Sequence, residues 1–134
     1  MKTSAILFLA VFLSGLNSQA QNRIHGWDID KISSITVELT SPANETNILV
    51  FNSRQDIESI MTFLKNVEFR ELNGSSLDPE DQKSNWKSKI VFHGQRDQVY
   101  LYKNSASIGK TSFLIDHDVI DEFRTILEQI QQDK

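Results

Sequence analysis

Residues 53–67, SRQDIESIMTFLKNV, constrain the fold more than any other stretch. Ile57, Ile60, Met61, Leu64 and Val67 recur every three or four positions and share one side of a helix. Gln55, Glu58, Ser59, Thr62, Lys65 and Asn66 fall opposite. Ser53 is placed to cap the first turn, and Asp56 to bond back to it near the positive end of the helix dipole. A second stripe closes the chain over residues 119–130, with Val119, Ile120, Phe123, Ile126, Leu127 and Ile130 on one side, Asp118 as cap and Asp121 in the first turn. Neither helix can leave such a stripe in water, so both need a common apolar surface.

The intervening residues supply it. Ile35, Val37 and Leu39 alternate with Thr36, Glu38 and Thr40, the signature of a strand buried on one face. Residues 41–45, with Pro42 and Asn44, make a turn, and residues 47–52 a second strand whose continuous ILVF run predicts fuller burial than the first. Residues 86–93, 98–103 and 108–115 read as a three-stranded meander with connections at 94–97 and 104–107. A tight first connection sets Phe92 across from Val99 and Ile90 across from Leu101, with Trp86 on the same core side. The resulting order is ββαβββα. It predicts an α+β domain: one antiparallel five-stranded sheet with two helices on one face.

The ends and the long loop are read from composition. Lys2 precedes an apolar run at 5–13 and a Ser18-Gln19-Ala20 tail, the pattern of an export signal cleaved after Ala20. The run is far shorter than the roughly 20 residues a membrane-spanning helix needs. Residues 1–20 are thus expected to be a signal peptide, 21–31 a flexible leader and 32–134 a single domain. Within the leader, His25, Asp28 and Asp30 lack the further ligands a metal requires and read as loop residues. Residues 73–85 carry one large apolar side chain, Leu77, and read as a long loop in which Asp78 and Pro79 begin a single helical turn. Asn44-Glu45-Thr46 and Asn73-Gly74-Ser75 match the N-glycosylation pattern, which matters only in a host that glycosylates exported chains.

Charge and cysteine content narrow the function. The formal net charge is −4, and loss of Lys2 with the signal makes it one unit more negative. That balance disfavours nucleic acid and anionic lipid as partners. There is no cysteine, hence no disulfide framework and no acylated-cysteine anchor, and the domain must stand on its apolar core. The expected product is soluble, periplasmic or secreted, and not lipid-anchored.

Chemical signatures are sparse. Gly109-Lys110-Thr111 matches the end of a phosphate-binding loop, but Asn104 stands where the upstream glycine belongs and the triplet precedes an apolar strand. No cofactor, metal or catalytic set follows. His117 between Asp116 and Asp118 suggests a ligand cluster or an oriented base, yet helix capping accounts for both aspartates more simply. Alternation does define one surface. If Ile90, Phe92, Val99 and Leu101 face the core, then Lys87, Lys89, Val91 and His93 lie on the other side beside Tyr100 and Tyr102. Lysines and tyrosines suit a recognition surface as well as a merely solvated one.

The pattern of residues 32–130 resembles small exported bacterial domains of the YhfM-like family, in which a hairpin and helix precede a K-x-K-I-x-F strand, a Y-x-Y strand and a closing helix. Here these are Lys87 to Phe92 and Tyr100 to Tyr102. The family brings no established chemistry, so the resemblance implies the fold and export but no catalytic residue. The expected function is a non-enzymatic exported binding or inhibitor domain for an unknown protein or cell-envelope ligand, using Lys87, Lys89, His93, Tyr100 and Tyr102. The alternative is a small exported hydrolase, which needs a histidine within reach of both a carboxylate and a serine in a concave site.

Overall fold

The structure is a computed structural model that describes Ile24 and residues 26–71 and 85–133. The export signal, His25 and the Asp78-Pro79 turn lie outside these described residues. Strands β1 (Ser34–Thr40) and β2 (Thr46–Phe51) form a hairpin, followed by helix α1 (Arg54–Asn66) and the short strand β3 (Arg70–Glu71). Then come β4 (Lys87–His93), β5 (Val99–Leu101), β6 (Ser105–Ile108), β7 (Thr111–Leu114) and helix α2 (Val119–Gln132). The strands make one sheet in the order β2-β1-β4-β5-β6-β7-β3, and every neighbouring pair is antiparallel.

Among the described residues the α+β class, the two helices and the single antiparallel sheet are as expected, but the sheet has seven strands and not five. The region read as one strand over residues 108–115 folds back on itself at Gly109-Lys110, where Ile108 pairs with Thr111. Gly109 has φ +60°, and glycine with positive φ at the first central position is what a two-residue II′ hairpin turn requires. A Cβ there would also meet Asp97 Oδ1 at 3.0 Å. The residues read as a turn at 104–107 therefore lie largely in β6. The other added strand, β3, is two residues long and pairs with β7 at the far edge.

The register between β4 and β5 also differs from expectation. Ile90 pairs with Val99 and Ser88 with Leu101, a shift of two residues, because residues 94–98 form a five-residue connection and not a tight turn. The shift is even, so no side chain changes face. Ile90, Phe92, Val99 and Leu101 are all buried as anticipated.

The helices close one face of this sheet. Ser53 Oγ accepts from the Asp56 amide at 3.2 Å, and Asp118 Oδ1 accepts from the Asp121 amide at 3.1 Å, so both expected caps are formed. The Val119 amide donates to the Lys103 carbonyl at 3.0 Å, which ties the start of α2 to the β5–β6 turn. The chain leaves β2 at one edge of the sheet and enters β3 at the other, so α1 traverses the sheet between them. Phe63 of α1 stacks on Phe123 of α2 at 5.5 Å between centroids. Ile60, Leu64, Val119 and Phe123 are fully buried with Ile35, Val37 and Ile90 in one core.

Two burial expectations are corrected. β2 is not the better buried strand of the first hairpin: Ile48 is 64% and Val50 59% exposed, whereas Ile35 and Val37 of β1 are fully buried. An apolar run does not reveal its neighbours, and β2 is an edge strand. Nor is the leader wholly separate from the domain. Ile24 and Trp27 belong to the core, and Trp27 meets Phe92 edge-on at 5.0 Å. A 3-10 turn at Ile29–Lys31 follows, capped by Asp28, whose Oδ1 accepts from the Asp30 amide at 3.0 Å. Asp30 itself pairs with Arg54 at the start of α1. Among the described residues, no helix is long and apolar enough to cross a membrane.

Candidate binding surface

The face of the sheet away from the helices is assembled by strand alternation. Along β4, Ser88, Ile90 and Phe92 are buried, while Lys87, Lys89 and Val91 are half-exposed and His93 exposed. Pairing on either side then fixes their neighbours. Lys89 lies between Glu38 of β1 and Tyr100 of β5, and Lys87 lies beside Thr40. Lys89 Nζ stands 3.7 Å from Glu38 Oε2, and the Tyr100 hydroxyl donates to Gln98 Oε1 at 3.2 Å.

These residues enclose a groove of about 210 Å³ lined by Glu38, Thr40, Lys87, Ser88, Lys89, Tyr100 and Tyr102. Four of the five residues expected to form the site, Lys87, Lys89, Tyr100 and Tyr102, thus converge. The fifth does not. His93 lies four residues beyond Lys89, about 13 Å along the strand, and its Nε2 is 3.0 Å from Thr36 Oγ1. Glu38 and Thr40 were visible in the sequence as the polar positions of β1, but nothing there showed that β1 pairs with β4 across some fifty intervening residues.

The groove combines two ammonium groups, two phenol rings, one carboxylate and one threonine hydroxyl. Lys87 makes no ion pair among the described residues, whereas Lys89 is partly neutralised by Glu38. Such a set offers hydrogen-bond donors and flat apolar surface side by side, which suits recognition of a partner rich in acceptors.

A larger hollow, about 790 Å³, opens between the helices and is lined by Gln55, Glu58, Ser59, Thr62, His117, Glu122 and neighbouring residues of both helices. Several of its polar groups are engaged with neighbouring residues. Glu58 pairs with Arg54 at 2.9 Å, and Ser59 Oγ donates to the Gln55 carbonyl of its own helix at 3.0 Å. His117 Nδ1 is 3.0 Å from Asp116 Oδ1, and Nε2 is 3.4 Å from Glu122 Oε1. Capping therefore accounts for Asp118 but not for Asp116, which orients the imidazole. The hydrogen bond to Asp116, reinforced by the charge of Glu122, raises the His117 pKa against the opposing effect of burial. The same bond lowers the Asp116 pKa. Carboxylates thus stand at both ring nitrogens, where a serine–histidine pair would need a hydroxyl at one of them. His93 faces a hydroxyl and His117 faces carboxylates, so neither ring joins the two groups that serine hydrolysis requires. The smaller groove is the better candidate despite its size.

No family model, curated protein or solved structure matches this chain.

Proposed function

We propose that the chain is an exported, non-enzymatic binding or inhibitor domain that holds a protein or cell-envelope ligand against the open face of its sheet. The observation that carries this reading is the convergence of Lys87, Lys89, Tyr100 and Tyr102 with Glu38 and Thr40 in one groove on the side the helices leave uncovered. The lysines would take acceptor groups of the partner, and the tyrosine rings would supply rigid apolar contact at low entropic cost. Export is supported by the apolar run at 5–13 and the Ser18-Gln19-Ala20 tail, and kinship with YhfM-like domains by Lys87 to Phe92 and Tyr100 to Tyr102.

Capture from a cell-envelope extract tests the site. The wild-type chain should retain a partner that Lys87→Glu retains poorly, since the reversal replaces one of the groove's two ammonium groups by a second carboxylate. Equal retention by both would contradict a role for the groove. Intact-mass measurement tests export: the purified product should begin at Gln21, and a product still carrying residues 5–13 would contradict cleavage.

A further inference from the structure

The edge strand β2 carries an unspent interaction surface. Its backbone phase is fixed by the turn that precedes it. The Ser41 amide donates to the Glu45 carbonyl and the Asn44 amide to the Ser41 carbonyl, each at 2.9 Å. Asn44 takes positive φ, +62°, as the bulge residue of a three-residue hairpin loop. With Ser41 and Glu45 a hydrogen-bonded pair, the alternation of an antiparallel ladder makes Leu39–Asn47, Val37–Leu49 and Ile35–Phe51 the bonded pairs of β1 and β2. The main-chain groups of Thr46, Ile48 and Val50 therefore point outward at the edge. Their side chains are exposed as well, Ile48 to 64% and Val50 to 59%.

An edge of this kind is usually blunted by lysine, proline, a bulge or short length. The opposite edge of the sheet follows that rule, since β3 is only two residues and both, Arg70 and Glu71, are charged. β2 does not follow it. Residues 46–53 contain no charge and no proline in a chain that is 24% charged.

We infer that β2 pairs antiparallel with β2 of a second copy about a two-fold axis at Leu49, joining the two sheets into one. Charge selects this occupant. Each copy is net negative, so two copies approach most easily through a neutral segment, and β2 is one. Pairing about Leu49 sets Glu45 of each copy opposite Ser53 of the other and Arg54, already paired with Asp30 and Glu58, opposite Asn44, so no like charges meet along the seam. The outward phase permits Ile48 of one copy to exchange main-chain hydrogen bonds with Val50 of the second copy, and the reverse. On the open face this sets Ile48 and Val50 of each copy against Val50 and Ile48 of the other. On the helix face Leu49 meets its own symmetry mate in a non-bonded pair, where side chains approach most closely. A self-complementary patch is what a closed two-fold dimer needs. The inference does not rest on the proposed role of the groove.

Sedimentation equilibrium on the full chain tests it, beside Ile48→Lys/Val50→Lys and Leu49→Cys. The wild type should sediment as a dimer. The double lysine variant, altered only at exposed positions, should keep the wild-type circular dichroism yet associate roughly 100-fold more weakly or less, because pairing sets like charges opposite one another. In a chain without cysteine, Leu49→Cys should give a covalent dimer under mild oxidation, since opposed Cβ atoms at such a pair lie within disulfide range. A wild type that is monomeric at every concentration, a dimer that survives the lysines, or failure of Leu49→Cys to cross-link would overturn the inference. The first of these would leave the edge to an extended segment of another protein or of this chain.

Discussion

The two faces of the sheet are built by the same strands and behave as different materials. In β5, Val99 and Leu101 are fully buried against the helices, while Tyr100 between them lines the open groove. In β4, Ile90 and Phe92 are buried between the exposed or half-exposed positions 89, 91 and 93. The helix face is mainly hydrocarbon, interrupted by the buried Ser88 of β4, and the core it closes has Phe51, Phe69, Phe92 and Phe123 among its largest buried side chains. The open face carries charge, hydroxyl groups and aromatic rings. One backbone thus separates stability from recognition at a spacing of one residue, and substitutions on the two faces should differ in kind.

The largest effect is expected where the helices meet. Phe123→Ala removes a fully buried ring and its stack on Phe63. It should lower the unfolding free energy in denaturant titration by about 3 to 5 kcal/mol. Leu64→Ala, at an equally buried site, should cost about 2 to 5 kcal/mol, and a negligible loss would mean that α1 does not face the core. Smaller again is the cap of α1. Ser53→Ala removes the hydroxyl that accepts from the Asp56 amide and should cost about 1 kcal/mol.

The pH dependence is smaller still, and it sharpens the comparison because His117 belongs to neither face. Its pKa is raised above the ordinary 6.5 by Asp116 and then by Glu122. A raised value means that the stabilisation is fully present below about 6.5 and is lost as pH rises through the folded-state value. Denaturation midpoints of the wild type should therefore fall slightly over that interval, and those of His117→Gln should fall less. Identical slopes would mean that the carboxylates do not hold the imidazolium in solution.

Much of this was legible in the sequence, and the failures share a cause. The helices and their caps were readable because a stripe with period near 3.6 and a side chain bonding three residues ahead are local facts. The faces of β1, β4 and β5 were readable because alternation is local too. What escaped depended on residues far apart. The exposure of Ile48 and Val50 follows from the place of β2 at the sheet edge, which no period within β2 encodes. Glu38 and Thr40 joined the groove through pairing of β1 with β4. Trp27 was read into the leader because a single aromatic residue beside Gly26 has no period. The division of β6 from β7 is different: Gly109-Lys110, between Ile108 and Thr111, is a legible hairpin signal that also matches the end of a nucleotide motif, and the two local patterns compete.

On the open face a modest change in stability should accompany the largest change in function, and this pairing is the central claim. Tyr100→Ala with Tyr102→Ala should lower unfolding free energy by no more than roughly 1 kcal/mol per tyrosine through lost cross-strand contact. The interface cost should be roughly 2 kcal/mol or more, a loss of affinity of about 30-fold or greater. The most direct measurement is therefore a binding isotherm and a denaturation curve on the same double variant, against the partner captured by the wild type. The account predicts a folded protein that binds weakly. Unchanged binding, or an unfolded double variant, would contradict it.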